Sequence, residues 1–343
     1  MGTVCAAGCL FGLRRTGGAR IMAAMPCVYT RRQALQLMGA TAAARLRAAT
    51  EKPLRGIFPI MATPFTPANQ VDYEDLAKEV DFMDRCGAHG MVWPQLASEY
   101  KFLSREERRR GMRVLARAAN GKRPALVLGV QGATKRDALE YAELAEELAP
   151  DALIAIPPTE AKTLDDFRDY YRALADITHR PFFIQTSGGA PDINPTVEFL
   201  IEMGREFPHF GYVKEEHSPI YERIPALAAA RPAIKRVFSG PVGLYEMRVG
   251  CDGCMPEALY PDIDVQMWDL YHSGQEAKAR EIFSKRLLLV YTAEHIAGTR
   301  PYIMKKRGVF KHAFSRREST ELTPAAVREI DFEFEGLRPY LKV

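Results

Sequence analysis

Residues 152–185 decide the fold: Ala152-Leu-Ile-Ala-Ile156, then Thr163-Leu-Asp-Asp166 opening an amphipathic stretch, then Pro181-Phe-Phe-Ile-Gln185. The two flanking runs are apolar throughout rather than alternating. Parallel strands read this way when both of their faces are covered. Thr163 with Asp166 is a helix-start signature, in which the hydroxyl accepts from the backbone three residues on while the carboxylate reaches back. The same unit recurs in both directions. Runs at 56–62, 90–93, 125–130, 211–214, 236–239 and 253–256 bring the strands to eight.

The stretches between them have helical signals. Ser104-Arg-Glu-Glu107 is a capping box. Asn194-Pro195 sets a capping residue before a first-turn proline. Leu76, Val80, Met83 and Gly87 fall on one helical face, a stripe that meets a core. Eight alternations predict a closed (β/α)8 (TIM) barrel over 53–260. Residues 261–343 read as a C-terminal helical appendage, with one helix over 275–292. The rival, a doubly wound open sheet, calls for a glycine-rich phosphate fingerprint after an early strand, and the sequence has none.

The net charge of +4 is uneven. Residues 1–50 hold seven Arg and no Lys, Asp or Glu, which leaves 40 basic against 43 acidic residues in the remainder. Without a basic stripe in the folded part, nucleic acid is not an expected partner. No apolar run reaches the ~18 residues of a membrane span, so no stable membrane insertion is expected. Residues 1–52 read as leader and linker. Thr30-Arg-Arg-Gln-Ala-Leu35 and the mildly apolar stretch to Ala44 predict a twin-arginine export signal and a periplasmic location. A mitochondrial transit peptide, or a cytoplasmic protein with a silent leader, are the alternatives. Cys251 and Cys254 form a lone C-x-x-C without the second ligand pair of a zinc site, so no metal is expected there.

In a barrel the chemistry sits at the C-terminal ends of the strands. That rule selects Gln95-Leu-Ala-Ser-Glu99 after the second strand, Gln185-Thr-Ser-Gly-Gly189 after the fifth, Lys214-Glu-Glu-His217 after the sixth and Ser239-Gly240 after the seventh. Lys214 is the informative residue. Desolvation at a buried strand end favours its free amine, which can attack a ketone and form an imine. The structural alternative is a lysine paired with Glu215 or another carboxylate. Glu99 has a structural alternative too, fixing its loop by accepting backbone hydrogen bonds. His217 is a candidate acid/base whose bland reading is a surface histidine.

Several stretches, in order, resemble one family. They are Ala62-Thr-Pro-Phe65 with Val71-Asp72, Glu99 through Leu103-Ser-Arg-Glu-Glu-Arg108, Val213-Lys-Glu215, Ser239-Gly240, Gly250-Cys-Asp-Gly253, and Pro301-Tyr-Ile-Met-Lys305 with Gly308. From Gly56 to about Gly308 the chain resembles the dihydrodipicolinate synthase/N-acetylneuraminate lyase family. The resemblance implies a homodimeric or homotetrameric barrel that cleaves, condenses or dehydrates 2-oxo acids through a lysine imine, without metal or organic cofactor. By position it makes Lys214 the imine former, with Gln185 the second catalytic position. It makes Gln95, Leu96, Ala97 and Ser98 the carboxylate loop; the other strand-end candidates, Glu99, Thr186, Ser239 and His217, are taken as further substrate contacts.

This chain departs from the family at three places. The Gly-Thr-Thr-Gly-Glu loop is here Gln95-Leu-Ala-Ser-Glu99, the proton-relay tyrosine is Gln185, and the Pro-Tyr-Tyr after strand four is Pro157-Pro-Thr159. A glutamine orients a water or carbonyl but does not shuttle protons as a phenol does. The expectation is therefore a divergent lyase for a small-molecule 2-oxo acid rather than the authentic synthase. The rival readings are a non-catalytic binding barrel and a metal-dependent enzyme using Glu99, Glu215, Glu216 and His217.

Overall fold

The computed structural model describes residues 52–343, and the leader with its twin-arginine reading lies outside them. Eight strands form the barrel: β1 (Gly56–Ile57), β2 (Gly90–Trp93), β3 (Ala125–Gly129), β4 (Ala152–Ala155), β5 (Phe182–Gln185), β6 (Tyr212–Glu215), β7 (Arg236–Ser239) and β8 (Gly253–Cys254). Each pairs in parallel with its neighbour in the order β1-β8-β7-β6-β5-β4-β3-β2. The seam between β1 and β2 is closed beyond the ladder. Met61 N donates to Val92 O, Val92 N donates to Pro59 O, and Ile60 bridges both Val92 and Glu257. The first and last runs are shorter as regular strands than the sequence suggests, because Pro59 and Pro256 have no N–H to give a ladder.

Two apolar layers explain the uninterrupted runs. Phe58, Val92, Val127, Ile154, Phe183 and Phe238 fill the lumen. Their strand neighbours Ile57, Trp93, Leu128, Leu153, Ile184 and Val237 pack outward under the helices. Both faces are dry, so the pattern of two is hidden in the sequence.

Seven helices alternate with the strands: α1 (Tyr73–Cys86), α2 (Arg105–Ala118), α3 (Lys135–Leu148), α4 (Leu164–Ala175), α5 (Val197–Glu206), α6 (Ile220–Ala229) and α7 (Leu244–Arg248). α8 (Pro261–His272) follows β8 and packs on α1 and β1. The Ser104 and Thr163 capping boxes both form. α5 begins later than Asn194-Pro195 indicates. Thr196 is its cap, accepting from Phe199 N at 3.1 Å, and Pro195 O instead accepts from the Arg223 guanidinium. Gly87 likewise does not extend the α1 stripe. Its φ of 84° is left-handed, and it ends the helix at no side-chain cost.

Then come α9 (Glu276–His295), α10 (Thr299–Lys306) and α11 (Pro324–Leu337). Between α10 and α11 the chain runs back to the loop after β2. The buried pair Arg307–Asp262 ties the end of α10 to α8, and Asp262 also accepts from Lys342 N. No helix among the described residues is long and apolar enough to cross a membrane.

One core group sets a pH dependence. Glu79 on α1 is fully buried, its Oε1 accepts from Ala62 N at 3.0 Å, and its Oε2 has no partner among the described residues. Burial raises its pKa well above the usual 4.5. A carboxyl raised in the fold stabilises most below its unfolded pKa, and that contribution is lost as pH rises through the folded value. Glu79→Gln keeps the acceptor and never ionises. It is expected to match the wild type near pH 5 and to melt higher near pH 8. Parallel melting profiles of the two proteins from pH 5 to 8 would exclude Glu79 as the titrating group.

Candidate active site

Strand alternation sets the site. Val213 packs outward, so Lys214 points into the lumen, level with its β5 partner Gln185. Lys214 is 2% exposed. Its Nζ lies 3.1 Å from Glu216 Oε1 and 3.3 Å from Gln185 Oε1. Ser187 Oγ hydrogen-bonds the other oxygen of Glu216, and Gln185 Nε2 donates to Ser187 Oγ at 3.2 Å. Lys214, Gln185, Ser187 and Glu216 thus close a ring of contacts at the barrel mouth. Gly240 at the end of β7 belongs to the same construction, because any side chain there would overlap the Glu216 carboxylate.

The neighbouring residues alternate the other way. Glu215, 0% exposed, faces the helices, accepts from Thr186 Oγ1 and His217 N at 2.8 Å each, and pairs with Arg223 of α6 at 2.9 Å. The lysine's carboxylate is therefore Glu216, two residues on, and not Glu215. Thr186 shares this outward side and has its hydroxyl committed to Glu215. His217 Nε2 lies 2.7 Å from Thr186 O; a carbonyl only accepts, so that nitrogen carries the proton. Ser239 follows lumen-facing Phe238 and so turns outward, donating to Pro241 O beside Cys254 Sγ. The structure does not bring Thr186, Ser239 or His217 to the lysine as substrate contacts, and alternation is the reason.

The 95–99 loop is divided. Ser98 Oγ accepts from Gln95 N and donates to Met61 O, and Ser98 O accepts from Thr63. Glu99 accepts from Ser315 Oγ, Arg316 N and Arg317 N at 2.8–2.9 Å. It fixes its loop, as the structural reading has it, but to a segment more than 200 residues away. Ser98 and Glu99 are thus spent within the protein. Leu96 lies across the mouth against Gly188 and Ile156, and Ala97 packs on the lumen cluster. Gln95 is fully buried, with its Nε2 3.0 Å from Gln131 Oε1. Sequence reasoning placed Ser187 at the end of the fifth strand without giving it a role, and it missed Gln131 and the 315–317 segment. Gln131 follows a strand end and was open to the same rule. The segment had no local signal.

Among the described residues no group of three or more His, Cys, Asp or Glu side chains is placed to hold a metal ion. Cys251 and Cys254 are buried with sulfurs 4.0 Å apart. The adjacent Cys251 thiol and burial push the Cys254 pKa well up, which keeps it a thiol.

A (β/α)8 barrel with a buried lysine on the C-terminal rim of its sixth strand defines the class of this protein. The Dihydrodipicolinate synthetase family matches it over residues 53–326, and the chain belongs to that family. A 4-hydroxy-tetrahydrodipicolinate synthase of Parabacteroides distasonis is 29% identical over 56% of this chain and 64% of its own length. One of Phocaeicola vulgatus is 27% identical over the same shares, so the match spans less than two thirds of these relatives. One of Rhizobium meliloti is 23% identical over 81% of this chain and 96% of its own. The crystal structure of dihydrodipicolinate synthase from Rhodopseudomonas palustris superposes with a TM-score of 0.73 at 23% identity, covering 82% of this chain and 97% of that one. At that identity the likeness shows the fold.

Proposed function

We propose that the protein is a Schiff-base lyase, an aldolase or dehydratase, acting on a 2-oxo acid. One observation carries this: a lysine 2% exposed, aimed into the lumen at the mouth, with a carboxylate at 3.1 Å to receive its proton. The proton passes from Lys214 to Glu216, and the free amine adds to the C2 carbonyl. The carbinolamine loses water, with Gln185 orienting the departing oxygen. The protonated imine then takes up the electron pair released when a bond to C3 breaks, which gives an enamine; C3 regains a proton after C3–C4 cleavage, or the C4 hydroxyl leaves as water after loss of a C3 proton, and hydrolysis of the imine returns the amine. The N–H groups of Leu96 and Ala97 are the donors of the loop not spent on protein acceptors among the described residues, and they would meet the substrate carboxylate.

Leu96 and Ala97 in place of two threonines, and Gln185 in place of a phenol, argue against the reaction named for the relatives. The same Gln185, with Lys214 held in an ion pair, favours a second reading, a binding barrel without turnover. Borohydride reduction with pyruvate and longer 2-oxo acids separates the two. The lyase reading expects an adduct on the Lys214 peptide by mass spectrometry, unaffected by EDTA. A thermally shifted protein that yields no adduct would establish the binding barrel, and loss of turnover with chelator would point to a metal enzyme. Export by the leader and a homodimeric or homotetrameric assembly remain parts of the proposal. Cell fractionation and light scattering test them.

A further inference from the structure

We infer that Gln95 determines specificity: its side-chain carbonyl accepts a hydrogen bond from a hydroxyl group of the substrate. The inference rests on the reading of the lumen above Lys214 as the substrate site. It starts from an amide whose orientation is forced. Pro94 O can only accept, and Gln131 Nε2 donates to it at 2.7 Å. Gln131 Oε1 therefore faces the other way and must itself receive a donor. Gln95 Nε2 supplies it at 3.0 Å. The rotamer of the Gln95 amide follows without freedom to flip. Its Oε1 is left pointing away from Gln131, and no donor among the described residues reaches it although the residue is 0% exposed.

The pair stands on the lumen side. Gly129 falls on the same face of β3 as Ala125 and Val127, whose side chains line the lumen. A Cβ on Gly129 would lie 3.1 Å from both Gln131 Oε1 and Gln95 Nε2. The two amides therefore occupy the space that the glycine leaves, on the rim of β2 and β3, at the same end of the barrel as Lys214. Arg108 on α2 fixes this rim from behind, donating to Gln131 O at 2.6 Å and Gly129 O at 3.3 Å.

A buried acceptor without a donor selects strongly among ligands. A ligand carboxylate placed there meets lone pair against lone pair, and a methylene leaves the acceptor unmade. A hydroxyl completes it. Sites built to hydrogen-bond a hydroxyl discriminate sharply against the analogue lacking it. Within the 2-oxo acids of the proposed function, that hydroxyl is the one at C4 that aldol cleavage or dehydration through a C2 imine requires. The ligand's carboxylate goes elsewhere, to the backbone donors of Leu96 and Ala97.

The test uses the full chain and pairs of 2-oxo acids of equal length, with and without a 4-hydroxyl. Calorimetric affinity is measured on the wild type and on Lys214→Ala, which removes the covalent step. The expected result is binding of the hydroxylated member at least about tenfold tighter, falling below about threefold in Gln95→Met. A wild type that does not distinguish the pair overturns the inference without any variant. So does a folded Gln95→Met, checked by its melting curve, that keeps the preference. If Gln95→Met fails to fold, Gln95→Leu replaces it, and the wild-type comparison decides if neither folds. Borohydride trapping is read separately. Adducts with both members and no preference sink the role of Gln95 and leave the imine reading standing. A preference without any adduct does the reverse.

Discussion

Lys214→Ala is expected to abolish borohydride-trapped adducts and to lower kcat/KM by at least about 10³-fold, because it removes the atom that bonds to substrate rather than a group that assists. The loss should fall on kcat, with non-covalent binding of the 2-oxo acid largely retained. Lys214→Arg sharpens the test. A guanidinium keeps the positive charge beside Glu216 but stays protonated at any working pH and forms no imine. If Lys214 served only to neutralise Glu216, Lys214→Arg would restore function, and the imine mechanism would be wrong. Glu216 is partly exposed, with its side chain at 22%, so neither variant should unfold the barrel. The reading expects Lys214→Arg to melt closer to the wild type than Lys214→Ala does, and to be equally inactive.

Glu99→Ala is expected to destabilise the fold by about 2–4 kcal/mol and to free the segment between α10 and α11. The carboxylate is 9% exposed and takes three donors at once, one hydroxyl and two backbone N–H groups. Burial pushes the carboxyl pKa up against the pull of those donors. Removing it strands the Arg316 and Arg317 amides. The backbone at Glu99 is itself left-handed, with φ of 59°, a conformation with a cost of its own for a residue with a Cβ. The three donors are what hold it there. Urea denaturation measures the loss, and trypsin reports the released segment through faster cleavage after Arg316 and Arg317. Leu96 and Ala97 lie on the same turn, so substrate affinity should weaken too. A change under about 0.5 kcal/mol with unaltered proteolysis would mean that Glu99 does not anchor the segment.

Composition and local order made much of this legible in advance. The eight apolar runs, the capping boxes at Ser104 and Thr163 and the rule of strand ends led to the barrel and to Lys214. Each of those signals lies within a few residues of what it specifies. The candidate list around Lys214 was less well resolved, for one reason. All of Gln185, Thr186, Glu215, Glu216, His217 and Ser239 stand at strand ends, and membership of an end does not say which way a side chain turns. Alternation gives the answer only once the register is known. Lys214 pairs with Phe238 and Gln185, which turns Glu215, Thr186 and Ser239 toward the helices. Had 214 and 216 been taken together as one face, Glu216 would have stood out as the lysine's partner.

The sequence by itself determined the barrel, its helix starts and the lysine on the sixth strand, because periodicity and capping act over a single turn or strand. Only the tertiary structure decided that Glu99 holds residues 315–317, that Gln131 orients Gln95, and that Gly240 makes room for Glu216. These contacts join positions 24 to 218 residues apart. Nothing in the local chemistry of either partner encodes the other, and closure of the barrel is what brings them within hydrogen-bonding reach.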